Sequence, residues 1–214
     1  MDSKQVENFA ADFLGYLYLP IEKSAKLFIV GIIGIPGSGR TTVARKLVSH
    51  LPGVVVVQAN SARYLLKHAN LPWGDNVREV TCAVARKLLS QGYSVIFDGG
   101  ALEQKDRDNI KKAAAPSNAE VLFIRIHIDP SLAETREIAK YNDPRWVSSF
   151  NDFRVNTPEK MAGNIRVRAV VDEKLGSQEI HGLITEIDNS GSLADLDAQV
   201  EAAVGNVKNI LGSL

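Results

Sequence analysis

An α/β architecture, with helices packed on a parallel sheet, follows from three features of this 214-residue sequence. Short apolar runs alternate with stretches of helical periodicity. The run 27–33 is apolar throughout, as a central strand covered on both faces requires. A glycine-rich break at 34–39 then separates that run from a helix-patterned segment. Strand–helix alternation of this kind implies right-handed crossovers and parallel pairing.

Each element has its own signature. Val6, Phe9, Phe13, Leu14 and Leu17 recur at spacings of three and four, predicting an amphipathic helix over 4–18 that Pro20 ends. The first strand is 27–33, and a helix over 41–51 buries Val43, Leu47, Val48 and Leu51. A β-branched strand at 54–58 leads into a helix near 61–68. Pro72 and Gly74 mark 70–76 as a loop. Val80, Ala83, Val84 and Leu88 predict a helix over 77–91, which Gly92 stops. The third strand is 93–97 and ends at Asp98. A polar-faced helix at 105–115 stops at Pro116, a fourth strand spans 121–128, and a helix spans 131–140.

The pattern weakens over 141–178, which is polar and carries Pro144, Pro158, Gly163 and Gly176; an irregular segment is expected there. A fifth strand is predicted at 181–187 and a closing helix at 192–214. Ser192 and Asp195 form the shorter-acid version of a capping box at the start of that helix. The simplest organisation is one domain over 1–214, with its core in 27–140 and 179–214. Ligands in such folds sit at the C-terminal ends of the strands, which directs attention to 34–42, 58–63, 98–100 and 129–160.

Composition narrows the function classes. Twenty-five basic residues balance twenty-five acidic ones, which argues against an extended duplex nucleic-acid surface. Cys82 is the single cysteine, so neither a disulfide framework nor a cysteine-rich zinc site is available. His50, His68, His127 and His181 lack metal-ligand spacing. The apolar run 27–35 is too short to span a bilayer, and the first residues lack a secretory layout. A cytoplasmic protein without membrane contact is the expectation.

The segment Gly34-Ile35-Pro36-Gly37-Ser38-Gly39-Arg40-Thr41 matches the phosphate-binding pattern G-x-x-x-x-G-K-[ST] at every fixed position but one. Glycines permit positive φ and close backbone approach, and successive N–H groups at a helix start favour an anion. Gly34, Pro36, Gly37, Ser38, Gly39, Arg40, Thr41 and Thr42 are therefore the candidate nucleotide-binding residues, with Thr41 directed at Mg²⁺. Arg40 stands where lysine is usual. It keeps the charge, but a planar guanidinium is not equivalent to a compact ammonium.

From about 27 to 211 the chain resembles the P-loop kinase superfamily, most of all its polynucleotide-kinase-like and zeta-toxin-like branch. The resemblance implies a three-layer P-loop NTPase fold of five parallel strands in the order 2-3-1-4-5. It also implies a lid, here about 141–178, and phosphoryl transfer from Mg-ATP to a hydroxyl of a small molecule or a nucleic-acid end. Such kinases show D-x-x-R after the second strand; here it reads Asn60-Ser61-Ala62-Arg63, so Arg63 matches the acceptor-holding arginine and Asn60 replaces the base. After the third strand, Asp98-Gly99-Gly100 keeps the acid that helps hold Mg²⁺ but puts Gly100 where a hydroxyl or amide is usual. Arg136 best matches the lid arginine, ahead of Arg145 and Arg154. Trp73, Trp146 and Tyr141 occupy expected loops, where they serve as stacking residues or as plain anchors.

Two functions fit. One is an ATP-dependent kinase with Arg40, Asp98 and Arg136 in catalytic roles, Asn60 and Arg63 on the acceptor, and Thr41 and Asp98 at the metal. The other is a nucleotide-binding pseudokinase that acts by binding or regulation, since Arg40, Asn60 and Gly100 all depart from the pattern. A redesigned, inactivated kinase is a third reading, which the joint presence of Asn60 and Gly100 makes less economical.

Overall fold

The computed structural model describes residues 1–99, 101–142 and 157–212. Its strands are β1 (Phe28–Ile33), β2 (Val54–Gln58), β3 (Ser94–Asp98), β4 (Glu120–His127) and β5 (Leu183–Asp188). All pair in parallel in the order β2-β3-β1-β4-β5. The strand order implied by the superfamily resemblance is the one observed.

The helices are α1 (Ser3–Leu14), α2 (Arg40–Val48), α3 (Ala59–His68), α4 (Asp75–Ser90), α5 (Gln104–Ala114), α6 (Pro130–Asn142), α7 (Pro158–Gly176) and α8 (Leu193–Leu211). Because strand side chains alternate between faces, β1 sends Phe28, Val30 and Ile32 to one core and Ile29 and Ile33 to the other. The first core also takes Val43, Ala44 and Leu47 of α2 and Leu196, Val200 and Val207 of α8. The second takes α1, α4 and α5, and Ile165 of α7. Both faces of β1 are thereby covered, as its unbroken apolar run requires.

Gly31 lies at the centre of this arrangement. A Cβ there would meet the ring of Phe123 at 2.7 Å, so the missing side chain is the space the ring fills. Phe123 is fully buried. Phe123→Ala should cost about 3–5 kcal/mol, read as a lower denaturation midpoint at unchanged m-value; a loss below about 1 kcal/mol would contradict this packing account.

Three sequence expectations need correction. The first helix ends at Leu14 with Gly15 as its C-cap, rather than running to 18. Beyond Phe13 the packed residues Leu14, Leu17 and Leu19 are only partly buried, and Tyr16 and Tyr18 are exposed. The segment 141–178 is not irregular throughout. Residues 158–176 form α7, started by a Thr157 N-cap with Pro158 in the first turn. Lastly, α6 extends to Asn142, so Tyr141 lies in a helix and not a loop.

Polar contacts also dock α7. Arg125 of β4 is buried and its Nε donates to Asp172 Oδ1 at 3.2 Å. Its Nη2 donates to the Asp172 carbonyl. Arg166 reaches Glu134 of α6 at 3.3 Å. No helix of the described residues is long and apolar enough to cross a membrane.

Candidate functional site

The glycine loop joins β1 to α2, and its shape follows from its glycines. Gly37 and Gly39 have φ of 84° and 91°, a region that costs a side-chain-bearing residue about 1–3 kcal/mol. Space forbids a side chain there as well. A Cβ on Gly37 would strike the Ala133 backbone, and one on Gly39 would strike the Asn189 amide. Gly39 is the N-cap of α2 and makes no side-chain cap bond, so the helix N-terminus opens toward an anion.

Beside the loop, the Thr41 hydroxyl donates to Asp98 Oδ2 at 2.7 Å. This brings together the two residues the sequence named for a metal, from the start of α2 and the end of β3. Arg40 Nε lies 3.9 Å from Asp98 Oδ1, and Arg40 Nη1 donates to the Gly34 carbonyl. Burial lowers the pKa of the Arg40 guanidinium, against the attraction of Asp98 and Glu137. The arginine therefore sits folded over the loop, its charge turned partly inward.

A cleft of about 590 Å³ extends from the loop across α3, α4, α5 and α7. Gly34, Pro36, Gly37, Gly39, Arg40, Thr41 and Thr42 line it, as do Asn60 and Arg63. Ser38 is buried behind the loop. Arg63 Nη1 donates to Asn60 Oδ1 at 2.7 Å, and its guanidinium lies 5.9 Å over the Trp73 ring. Burial, then repulsion from Arg40, lowers the Arg63 pKa. Its Nε is buried with no partner among the described residues. An anion entering the cleft would relieve both penalties.

Arg136 is half-buried on α6 and is absent from the described cleft lining; its neighbours Glu137 and Lys140 line the cleft instead. Gly100, Arg145, Trp146 and Arg154 lie outside the described residues.

Two contributors escaped the sequence reading. Arg168 of α7 lines the cleft and pairs with Glu103 at 2.9 Å. Its signal was the Thr157-Pro158 helix start followed by Met161, Ala162 and Ile165, obscured by the polar residues after it. Asn189, beyond β5, donates from Nδ2 to the Ser38 carbonyl at 2.8 Å. No local pattern announced it. Cys82 also lines the cleft, but burial pushes its thiol to about 11, so it stays protonated and unreactive near neutrality.

No curated protein is similar enough in sequence to count as a relative. Solved structures share the fold. A protein from Chloroflexus aurantiacus aligns at a TM-score of 0.65 and 12% identity, over 86% of this chain and 98% of its own. A gluconokinase from Sinorhizobium meliloti aligns at 0.56 and 16% identity, over 88% and 97%. A shikimate kinase from Acinetobacter baumannii, solved with shikimate, aligns at 0.52 and 17%, over 86% and 96%. The AAA domain family matches residues 29–157, which run from β1 through α6 and beyond. With the glycine loop inside the matched stretch, the chain belongs to the AAA domain family, and it shares its fold with the kinases among its structural neighbours.

Proposed function

We propose that the chain binds Mg-ATP on residues 34–42 and transfers the γ-phosphoryl group to a hydroxyl of a small molecule or a nucleic-acid end. The observation that carries this reading is the Thr41–Asp98 contact at 2.7 Å beside a glycine loop open to a cleft. A hydroxyl and a carboxylate are hard oxygen donors, and Mg²⁺ characteristically takes one or two protein oxygens and completes its shell with phosphates and water. Thr41 and Asp98 fit that role, and a bound Mg²⁺ would neutralise charge on the phosphates.

The acceptor oxygen forms a bond to Pγ while the bridging Pγ–O bond breaks, and the electron pair leaves on ADP. The acceptor proton passes to water, because the Asn60 amide takes up no proton near neutrality and a loose transition state asks little of a base. Arg63 and Trp73 form the acceptor wall. The charge-stabilising role expected of Arg136 is better served by Arg168, which lines the cleft and whose charge is felt by Arg40.

One observation favours a second reading, a nucleotide-binding pseudokinase. Arg40 is bonded to the Gly34 carbonyl and lies beside Asp98, so its charge is engaged within the protein rather than held ready for phosphate. Calorimetric titration with ATP and Mg²⁺, followed by ADP release on the same sample, separates the two. Binding with turnover supports the kinase, and binding without turnover supports the pseudokinase. Arg40→Lys should raise any ATPase or transfer rate by about tenfold, as a free ammonium replaces a tethered guanidinium. No gain would place the deficit elsewhere, foremost at Asn60.

A further inference from the structure

Behind the glycine loop, and outside the cleft lining, lies a contact between segments 151 positions apart. Asn189 is 5% exposed, and its Nδ2 donates to the Ser38 carbonyl at 2.8 Å. Three neighbouring elements hold it. Its backbone N–H donates to the His127 carbonyl at the end of β4, at 2.9 Å. Next to it, Asp188 is gripped by Gln199 of α8, which accepts from its N–H at 2.8 Å and donates to its carbonyl at 2.9 Å. On the other side, the Ser190 hydroxyl accepts from the Asp129 N–H at 3.2 Å. The amide is thus fixed before any ligand arrives.

What it fixes is a peptide plane. The chain has no cis peptides among its described residues, and in a trans peptide the carbonyl and the following N–H point in opposite directions. A donor that holds the Ser38 carbonyl on the buried side therefore turns the Gly39 N–H away from Asn189, toward the side where Gly39 lines the cleft. The fit is close on this side, because a Cβ on Gly39 would run into the same amide. A peptide free to flip would present a carbonyl to the phosphate instead, exchanging a donor for a repelling acceptor.

We infer that Asn189 is a positioning residue for phosphate binding, setting the Ser38–Gly39 peptide so that the Gly39 N–H faces the phosphate cradle. It touches no ligand. Its contribution is preorganisation of a donor, the kind of electrostatic effect that is large because nothing has to rearrange on binding. The inference rests on the loop being a phosphate site, and the test keeps the two apart.

The probe is inorganic tripolyphosphate with Mg²⁺, which contacts the cradle and carries no base or sugar. Wild type, Asn189→Ala and Asn189→Asp are titrated by calorimetry, alongside the amide resonance of Gly39. Asn189→Ala should weaken binding about tenfold. Asn189→Asp should weaken it further, because a carboxylate cannot donate to the Ser38 carbonyl and adds negative charge behind the cradle. The ligand-induced shift of the Gly39 amide should shrink in both variants while the dispersion of distant amides is kept, which general loosening of the fold would not produce. If Asn189→Asp fails to fold, Asn189→Ala carries the comparison without burying a charge. Variants that match wild type within twofold, with an unchanged Gly39 shift, overturn the role of Asn189 alone. Wild type that ignores tripolyphosphate removes this role together with the phosphate loop itself.

Discussion

Gly39→Val should abolish nucleotide binding, lowering affinity for ADP and ATP by at least a hundredfold. Two effects combine. Gly39 holds φ of 91°, which strains a β-branched residue by about 1–3 kcal/mol. Its Cβ would also displace the Asn189 amide, so the loop must move or the buried hydrogen bond to Ser38 must break. Either response misplaces backbone N–H groups that serve the phosphates only in one arrangement. Calorimetric titration reads the result, and Gly205→Ala in α8, where a Cβ meets nothing within 4 Å, is the control that should bind normally. Affinity within threefold of wild type for Gly39→Val would remove the loop from the nucleotide site.

The second large effect is expected at Asp98, and it has a sign that separates two roles. Asp98→Asn keeps the shape of the side chain and an oxygen for the Thr41 hydroxyl, but removes the charge. If Asp98 helps hold Mg²⁺, the Mg²⁺-dependent part of ATP affinity should disappear and any turnover should fall about 10²–10³-fold, the scale of losing one electrostatic stabiliser. Without metal the direction reverses. Arg40 lies 3.9 Å from the Asp98 carboxylate, and loss of that counter-charge leaves its guanidinium free for phosphate. Metal-free ATP should therefore bind the variant as well as wild type or better. Titrations with and without Mg²⁺ give both numbers. Equal losses in the two conditions would mark Asp98 as a loop strut rather than a metal residue.

Local pattern carried much of the structure. The apolar run of β1, the β-branched run of β2 and the stripe of α4 each announce an element, because side chains two or three to four positions apart share a face whatever the rest of the chain does. The capping box of α8 is equally local, and the structure contains both of its bonds. The glycine loop was legible for the same reason, since positive φ, strand before and helix after are all written within a dozen residues. The helix α7 was missed where local pattern is weak. Its buried residues Met161, Ala162 and Ile165 occupy the first half, with Leu175 alone near the end. The latter half is also held by Arg125, which bonds to Asp172 47 positions away.

Residue types and their periodicity were sufficient to identify the α/β architecture, the glycine loop between β1 and α2, and the unusual Arg40. They could not say what Arg40 touches, that Thr41 meets Asp98 57 positions away, that Arg168 reaches a cleft whose described lining does not include Arg136, or that Asn189 stands behind Ser38. Those facts depend on strand order and on the crossovers that bring β1, β3, β4 and β5 side by side. Hydrophobic periodicity reports which face of an element is buried, because burial is a property of one segment against a nonspecific interior. A hydrogen bond is directional and needs a particular partner at about 3 Å, and only the folded chain decides which partner that is.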